Sequence, residues 1–156
     1  MPQTIVPPTG TRMTDIELVD SHGRMTTLDE ARNGRRAVIF FLRASDCPIC
    51  IAHSKKLVAM ATAGELGDAA LILVAPGDAE AAAGVEKRVG SDTAHVFASR
   101  GGHADVGLGV FLMLQHSGTF VLDETATILM AMTSPLPTSS FSASKVRSAL
   151  GRRGIS

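Results

Sequence analysis

Residues 37–50 read Ala37-Val-Ile-Phe-Phe-Leu42-Arg43-Ala-Ser-Asp46-Cys47-Pro48-Ile-Cys50, and this stretch decides the fold. Its first six residues are continuously apolar, which fits a strand covered on both faces. Pro48 suits the first turn of a helix, where a missing N–H costs nothing. The junction therefore predicts a buried strand, a short loop and a helix over 47–63 that ends near Gly64. Outward from it, residues 69–74 form a second apolar run, and Asp78 is placed to cap a helix reaching about Val89. Asp20-Ser-His-Gly23 is a turn signal flanked by two short segments, 16–19 and 25–28, and predicts an N-terminal β-hairpin. Residues 95–98 read as a short strand. Residues 119–122 and 128–132 read as two strands joined by a turn at 123–126. Ser142 or Ser144 caps a last helix through Leu150. Residues 103–115 are ambiguous, because Gly107 and Gly109 weaken a helix there. This order is α/β: one central mixed β-sheet flanked by helices. Residues 1–13, with three prolines, read as a lead-in; 14–150 form the domain; 151–156 read as a flexible basic tail.

Composition narrows the function. The chain has 156 residues, 45% hydrophobic and 19% charged, which excludes intrinsic disorder. Fifteen basic residues balance fifteen acidic ones, so there is no electrostatic footprint for nucleic acid or an anionic membrane. No apolar run is long enough to span a bilayer. Two cysteines are too few for a disulfide-stapled secreted scaffold. The first residues carry neither a basic start nor an apolar stretch, so a cytoplasmic location is expected. Thiols there are kept reduced, and a close cysteine pair is more often catalytic or metal-binding than structural.

The pair Cys47 and Cys50 carries the chemistry. At a helix start, free backbone N–H groups and the helix dipole favour a thiolate on Cys47. Helical spacing puts Cys50 on one face with Leu57, Met60 and Ala61, so Cys50 is expected inside and Cys47 nearer the rim. Such a dithiol can close into a disulfide across one turn and cycle between two redox states. Arg43 would stabilise a thiolate, whereas Asp46 would oppose it by like-charge repulsion. His53, three residues after Cys50, is placed either as a base or as packing. Two other readings stand beside redox: buried inert thiols, or a metal-binding or redox-sensing module using Cys47, Cys50 and His53. The scattered histidines show no paired ligand spacing, and no metal or organic cofactor is expected.

With these residues the chain resembles the thioredoxin-like superfamily, and within it the peroxiredoxins of the alkyl hydroperoxide reductase and thiol-specific antioxidant type. The resemblance covers about residues 10–150. It rests on Cys47-Pro-Ile-Cys50, on Phe40 and Phe41 before the loop, on Ile16-Glu-Leu-Val-Asp20…Gly23…Leu28, and on Thr119-Phe-Val-Leu-Asp123. It implies a thioredoxin-like fold and an antioxidant thiol oxidoreductase. The substrate would be a small peroxide or a disulfide, and a thiol donor such as thioredoxin or glutathione would regenerate the enzyme. In the peroxiredoxin pattern Cys50 falls on the peroxide-attacking cysteine, Cys47 on a threonine and Arg43 on a proline. In the thioredoxin pattern Cys47 attacks and Cys50 resolves. Thioredoxins carry a cis-proline just before the strand that begins here at Thr119, and many peroxiredoxins carry an arginine there. This chain has Ser117-Gly118, either a plain turn or a substrate-facing element. The apolar residues of 107–114 read as core or as a homodimer surface of the peroxiredoxin kind.

Overall fold

The structure is a computed structural model that describes residues 9–90, 93–108, 110–111, 114–134 and 140–151. Two continuously apolar strands, β3 (Ala37–Phe41) and β4 (Ala70–Ala75), pair in parallel at its centre, and every residue of both is buried. Side chains alternate across them, so each strand feeds two cores. Val38, Phe40, Leu42, Leu71 and Leu73 face one; Ile39, Phe41, Ile72 and Val74 face the other.

Among the described residues the main sheet has seven strands, in the order β2-β1-β5-β4-β3-β8-β9. β5 (His95–Ala98) joins β4 in parallel. β8 (Ser117–Leu122) joins β3 antiparallel and continues into β9 (Ile128–Ser134). The predicted hairpin is present as β1 (Glu17–Val19) and β2 (Met25–Thr27). A separate two-stranded pair, β6 (Val110–Phe111) and β7 (Leu114–Gln115), lies in the stretch that the sequence left ambiguous.

The longer helices all pack on one face. α2 (Pro48–Thr62), α3 (Ala79–Val89) and α5 (Ala143–Leu150) place Leu57, Met60, Ala82, Val85, Val146 and Leu150 in the first core. The second core is covered by two short helices, α1 (Leu28–Arg32) and α4 (Gly102–Asp105), and by loops. The mixed sheet flanked by helices is thus as expected, and the helical mass lies on the side that carries the cysteines.

One position differs from expectation: Leu28, expected in the second strand of the hairpin, opens α1. Thr27 caps that helix, its hydroxyl accepting the Glu30 amide and donating to the Glu30 carboxylate. The described end of the expected lead-in, residues 9–13, packs on the domain. Gly10 and Met13 donate to the carbonyls of Ile128 and Ala126, Arg12 bridges Thr127, and Met13 is buried in the core. Residues 1–8 and 152–156, the rest of the expected lead-in and most of the tail, lie outside the described residues.

Candidate active site

The site forms where β3 gives way to α2. Cys47 is the N-cap of α2, in extended backbone, and Pro48 takes the first helical turn. Its sulfur turns back over the helix end and accepts the Cys50 amide at 3.4 Å. This is the physical reason that Cys47 does not sit at the rim as expected. The sulfur is tucked against the N-terminal turn and the residue is 3% exposed, while Cys50 is fully buried. Both are free thiols, and both belong to the first core. Asp46, Pro48 and Ile49 form the exposed cover above them.

The two sulfurs differ in their environments. Burial works against a Cys47 thiolate. The Cys50 thiol, the Cys50 amide and the Arg43 guanidinium act the other way and prevail, holding Cys47 below the ordinary thiol value. Cys50 is pushed up to about 12, chiefly by burial, with Cys47 adding to the rise. The Arg43 amide donates to the Cys50 sulfur at 3.3 Å, and the Ala44 amide acts in the same sense. The arrangement is a dithiol whose two sulfurs each accept a backbone N–H and in which Cys47 is the more readily ionised partner.

His53 lies one turn beyond Cys50. Its ring meets the edge of Phe40 at 5.7 Å and lies tilted on Phe141 at 5.0 Å. Burial lowers its pKa, and Nδ1 is buried without a hydrogen-bond partner. The ring therefore packs against the two phenylalanines beside α2, where burial disfavours its charged form. Among the described residues no group of three His, Cys, Asp or Glu side chains could hold a metal ion, so Cys47, Cys50 and His53 do not form a ligand set.

Ser117, Gly118 and Thr119 are not a turn. They open β8, with Gly118 opposite Phe41 and Thr119 opposite Phe40. Ser117 donates its hydroxyl to the Ser140 hydroxyl, and Thr119 donates to the Ser140 carbonyl, each at 2.7 Å. Both side chains are fully buried and their polar groups are spent on the chain leading into α5. Of the apolar 107–114 stretch, Leu108 is core; Gly109, Leu112 and Met113 lie outside the described residues.

The sequence assigns no role to His103, which heads the ambiguous stretch 103–115. The residue is buried, edge-on to Phe41 at 5.0 Å, with Nε2 2.9 Å from the Leu42 carbonyl and Nδ1 2.6 Å from the Ser99 hydroxyl. Nothing local in Gly101-Gly-His103 signals that the ring reaches the end of β3. The described residues contain no helix long and apolar enough to cross a membrane.

Comparison with known proteins agrees with this geometry. The family model described as Redoxin matches residues 8–150. Among solved structures, the chain is similar to a peroxiredoxin-like protein from Aquifex aeolicus, with TM-score 0.79 and 16% identity over 94% of this chain and 88% of that one. It is similar to peroxidoxin BcpB from Mycobacterium tuberculosis, with TM-score 0.75 and 22% identity over 93% and 97% of the two chains. It is also similar to reduced Prx3 from Vibrio vulnificus in complex with hydrogen peroxide, with TM-score 0.75 and 16% identity over 93% and 99%. A search of curated proteins gives no match. A thioredoxin-like sheet, a dithiol at the start of α2 and a family match across nearly the whole domain lead to one conclusion: the chain belongs to the Redoxin family.

Proposed function

We propose that this protein is a cytoplasmic thiol peroxidase that reduces a small peroxide with the Cys47/Cys50 dithiol. The observation that carries the reading is the asymmetry of the pair: the Cys47 sulfur caps α2 and accepts the Cys50 amide, where Arg43 also favours its thiolate, while Cys50 lies fully buried one turn in, where burial opposes ionisation. A thiolate is the attacking form, so Cys47 acts first. This departs from the order implied by the peroxiredoxin pattern, in which Cys50 attacks.

The Cys47 thiolate attacks one peroxide oxygen and breaks the O–O bond. Cys47 becomes a sulfenic acid, and the other oxygen leaves as an alcohol or water after taking a proton. The Cys50 sulfur then attacks the Cys47 sulfur. A disulfide forms, and the sulfenic oxygen leaves as water with the Cys50 proton. Two equivalents of a thiol, supplied by thioredoxin or glutathione, reduce that disulfide and become a disulfide themselves. Arg43 supports the thiolate, and Pro48 sets the helical turn that brings the cysteines together. The near-complete burial of Cys47 favours a substrate of a few atoms over a folded protein disulfide.

The test is peroxide consumption by wild type, Cys47→Ser and Cys50→Ser, with a sulfenic-acid trap applied to Cys50→Ser. Trapping is expected on Cys47, and Cys47→Ser should lose turnover. Full activity in both variants would overturn the reading. A second reading, a protein thiol–disulfide oxidoreductase, is favoured by the half-exposed Ile49 beside the pair, an apolar contact for a docking chain. It predicts a mixed disulfide on Cys47 in the Cys50→Ser variant.

A further inference from the structure

We propose that His103 is a positioning residue for the redox pair, acting through the single peptide group that joins Leu42 to Arg43. The carbonyl of that group faces His103 Nε2 at 2.9 Å, and its N–H donates to the Cys50 sulfur at 3.3 Å. One rigid plane thus has a buried imidazole at one pole and a reactive sulfur at the other. The assignment rests on the reading of Cys47 and Cys50 as a redox pair.

The hydrogen-bond logic fixes the ring. A carbonyl only accepts, so Nε2 carries the proton, Nδ1 is bare, and the Ser99 hydroxyl donates to it. Burial pushes His103 down to about 4, against the Leu42 carbonyl, so the ring stays neutral from pH 5 to 8. The scaffold around it is tight. The Gly102 amide donates to the Ser99 carbonyl, the Leu108 amide donates to the His103 carbonyl, and a Cβ on Gly102 would meet Ile16 Cδ1 at 3.2 Å and Ser99 Cβ at 3.3 Å.

The consequence is electronic and geometric. Leu42 lies beyond the last ladder position of β3, so no strand neighbour in the ladder orients its carbonyl. His103 does so, and donation to the oxygen strengthens the N–H at the other pole. That N–H favours negative charge on Cys50. When a donor thiolate attacks Cys47, the S–S bond breaks and its electron pair passes to Cys50. His103 therefore eases the step that regenerates the dithiol, without touching either sulfur.

Nitrogen-15 spectra of the reduced wild-type protein test the first claim. A protonated Nε2 and bare Nδ1 are expected throughout pH 5–8; a protonated Nδ1 overturns the proposal, and this needs no variant to fold. The second measurement is the rate at which glutathione reduces the Cys47–Cys50 disulfide. His103→Phe, which keeps the ring but loses the N–H, should slow that reduction by roughly threefold and move the Arg43 amide proton upfield. His103→Gln, which restores a donor, should fall between. Folded variants with an unchanged reduction rate and an unchanged Arg43 resonance overturn the positioning role while leaving the redox reading intact. A wild-type protein that forms no Cys47–Cys50 disulfide overturns the redox reading and this assignment with it.

Discussion

The Cys47 sulfur accepts the Cys50 amide hydrogen at 3.4 Å, so the group that caps α2 is the group that ionises. Capping and reactivity share one atom, and substitution should separate them. Cys47→Ser keeps an acceptor at the N-cap and is expected to hold wild-type stability while losing turnover. Cys47→Ala loses both, with a stability loss of about 0.5–1 kcal/mol. Denaturant titration of the two variants side by side checks this. Equal stability in both would detach the cap from the sulfur.

The two thiols should separate in pH-dependent alkylation. Only the thiolate reacts, so labelling climbs as pH rises through each thiol's own pKa. Cys47, lowered, reaches its plateau first; Cys50 is expected to stay unlabelled until pH approaches about 12. Peptide mapping after short exposure to iodoacetamide reads both sites. Labelling of Cys50 ahead of Cys47 would return the attacking role to the inner sulfur.

Arg43→Met should raise the pH at which Cys47 becomes reactive, because a supporting cation is removed while the backbone N–H to Cys50 remains. Alkylation at pH 7 should slow several-fold and recover at higher pH. A uniform slowing at all pH values would mean that Arg43 acts on access, not on charge.

Gly118 has no room for a side chain. A Cβ there would lie 2.8 Å from Thr133 Cγ2, 3.2 Å from Leu108 Cδ2 and 3.2 Å from the Met132 carbonyl oxygen. Gly118→Ala is expected to destabilise by about 1–3 kcal/mol through overpacking. Thermal unfolding measures it, and a stability change under about 0.5 kcal/mol would contradict the crowding.

Thr119→Val tests whether this end of β8 is scaffold. It removes the hydroxyl that donates to the Ser140 carbonyl at 2.7 Å, at an expected loss of about 1–3 kcal/mol. Peroxide turnover per folded molecule should stay near wild type. A selective loss of turnover at full stability would give Thr119 the substrate-facing role.

The sequence was legible where apolar continuity decides placement. Residues 37–42 and 69–74 read as inner strands, and Pro48 after the first of them fits the opening turn of a helix. What it hid was distance. The partners of β3 and the contact between Gly10–Met13 and Ala126–Ile128 join residues far apart in the chain. The burial of Cys47 depends on a side chain folding back over its own helix, which spacing alone does not register. His103 is the clearest case, because its partner carbonyl at Leu42 lies sixty-one positions away. The α1 helix was different: Thr27-Leu-Asp-Glu30 carries the capping-box pattern, and the turn signal at Asp20–Gly23 drew Leu28 into the second strand of the hairpin.

β3 lies between β4 and β8 and has no exposed residue. Its amides should be among the last to exchange with deuterium, opening only when the whole molecule does. The Arg43 amide hangs from that anchored end, whereas Ser45, Asp46, Pro48 and Ile49 are partly or fully exposed. On the proposed reading, bond making between the cysteines is expected to be accommodated by fraying at the first turn of α2, around a donor that stays put.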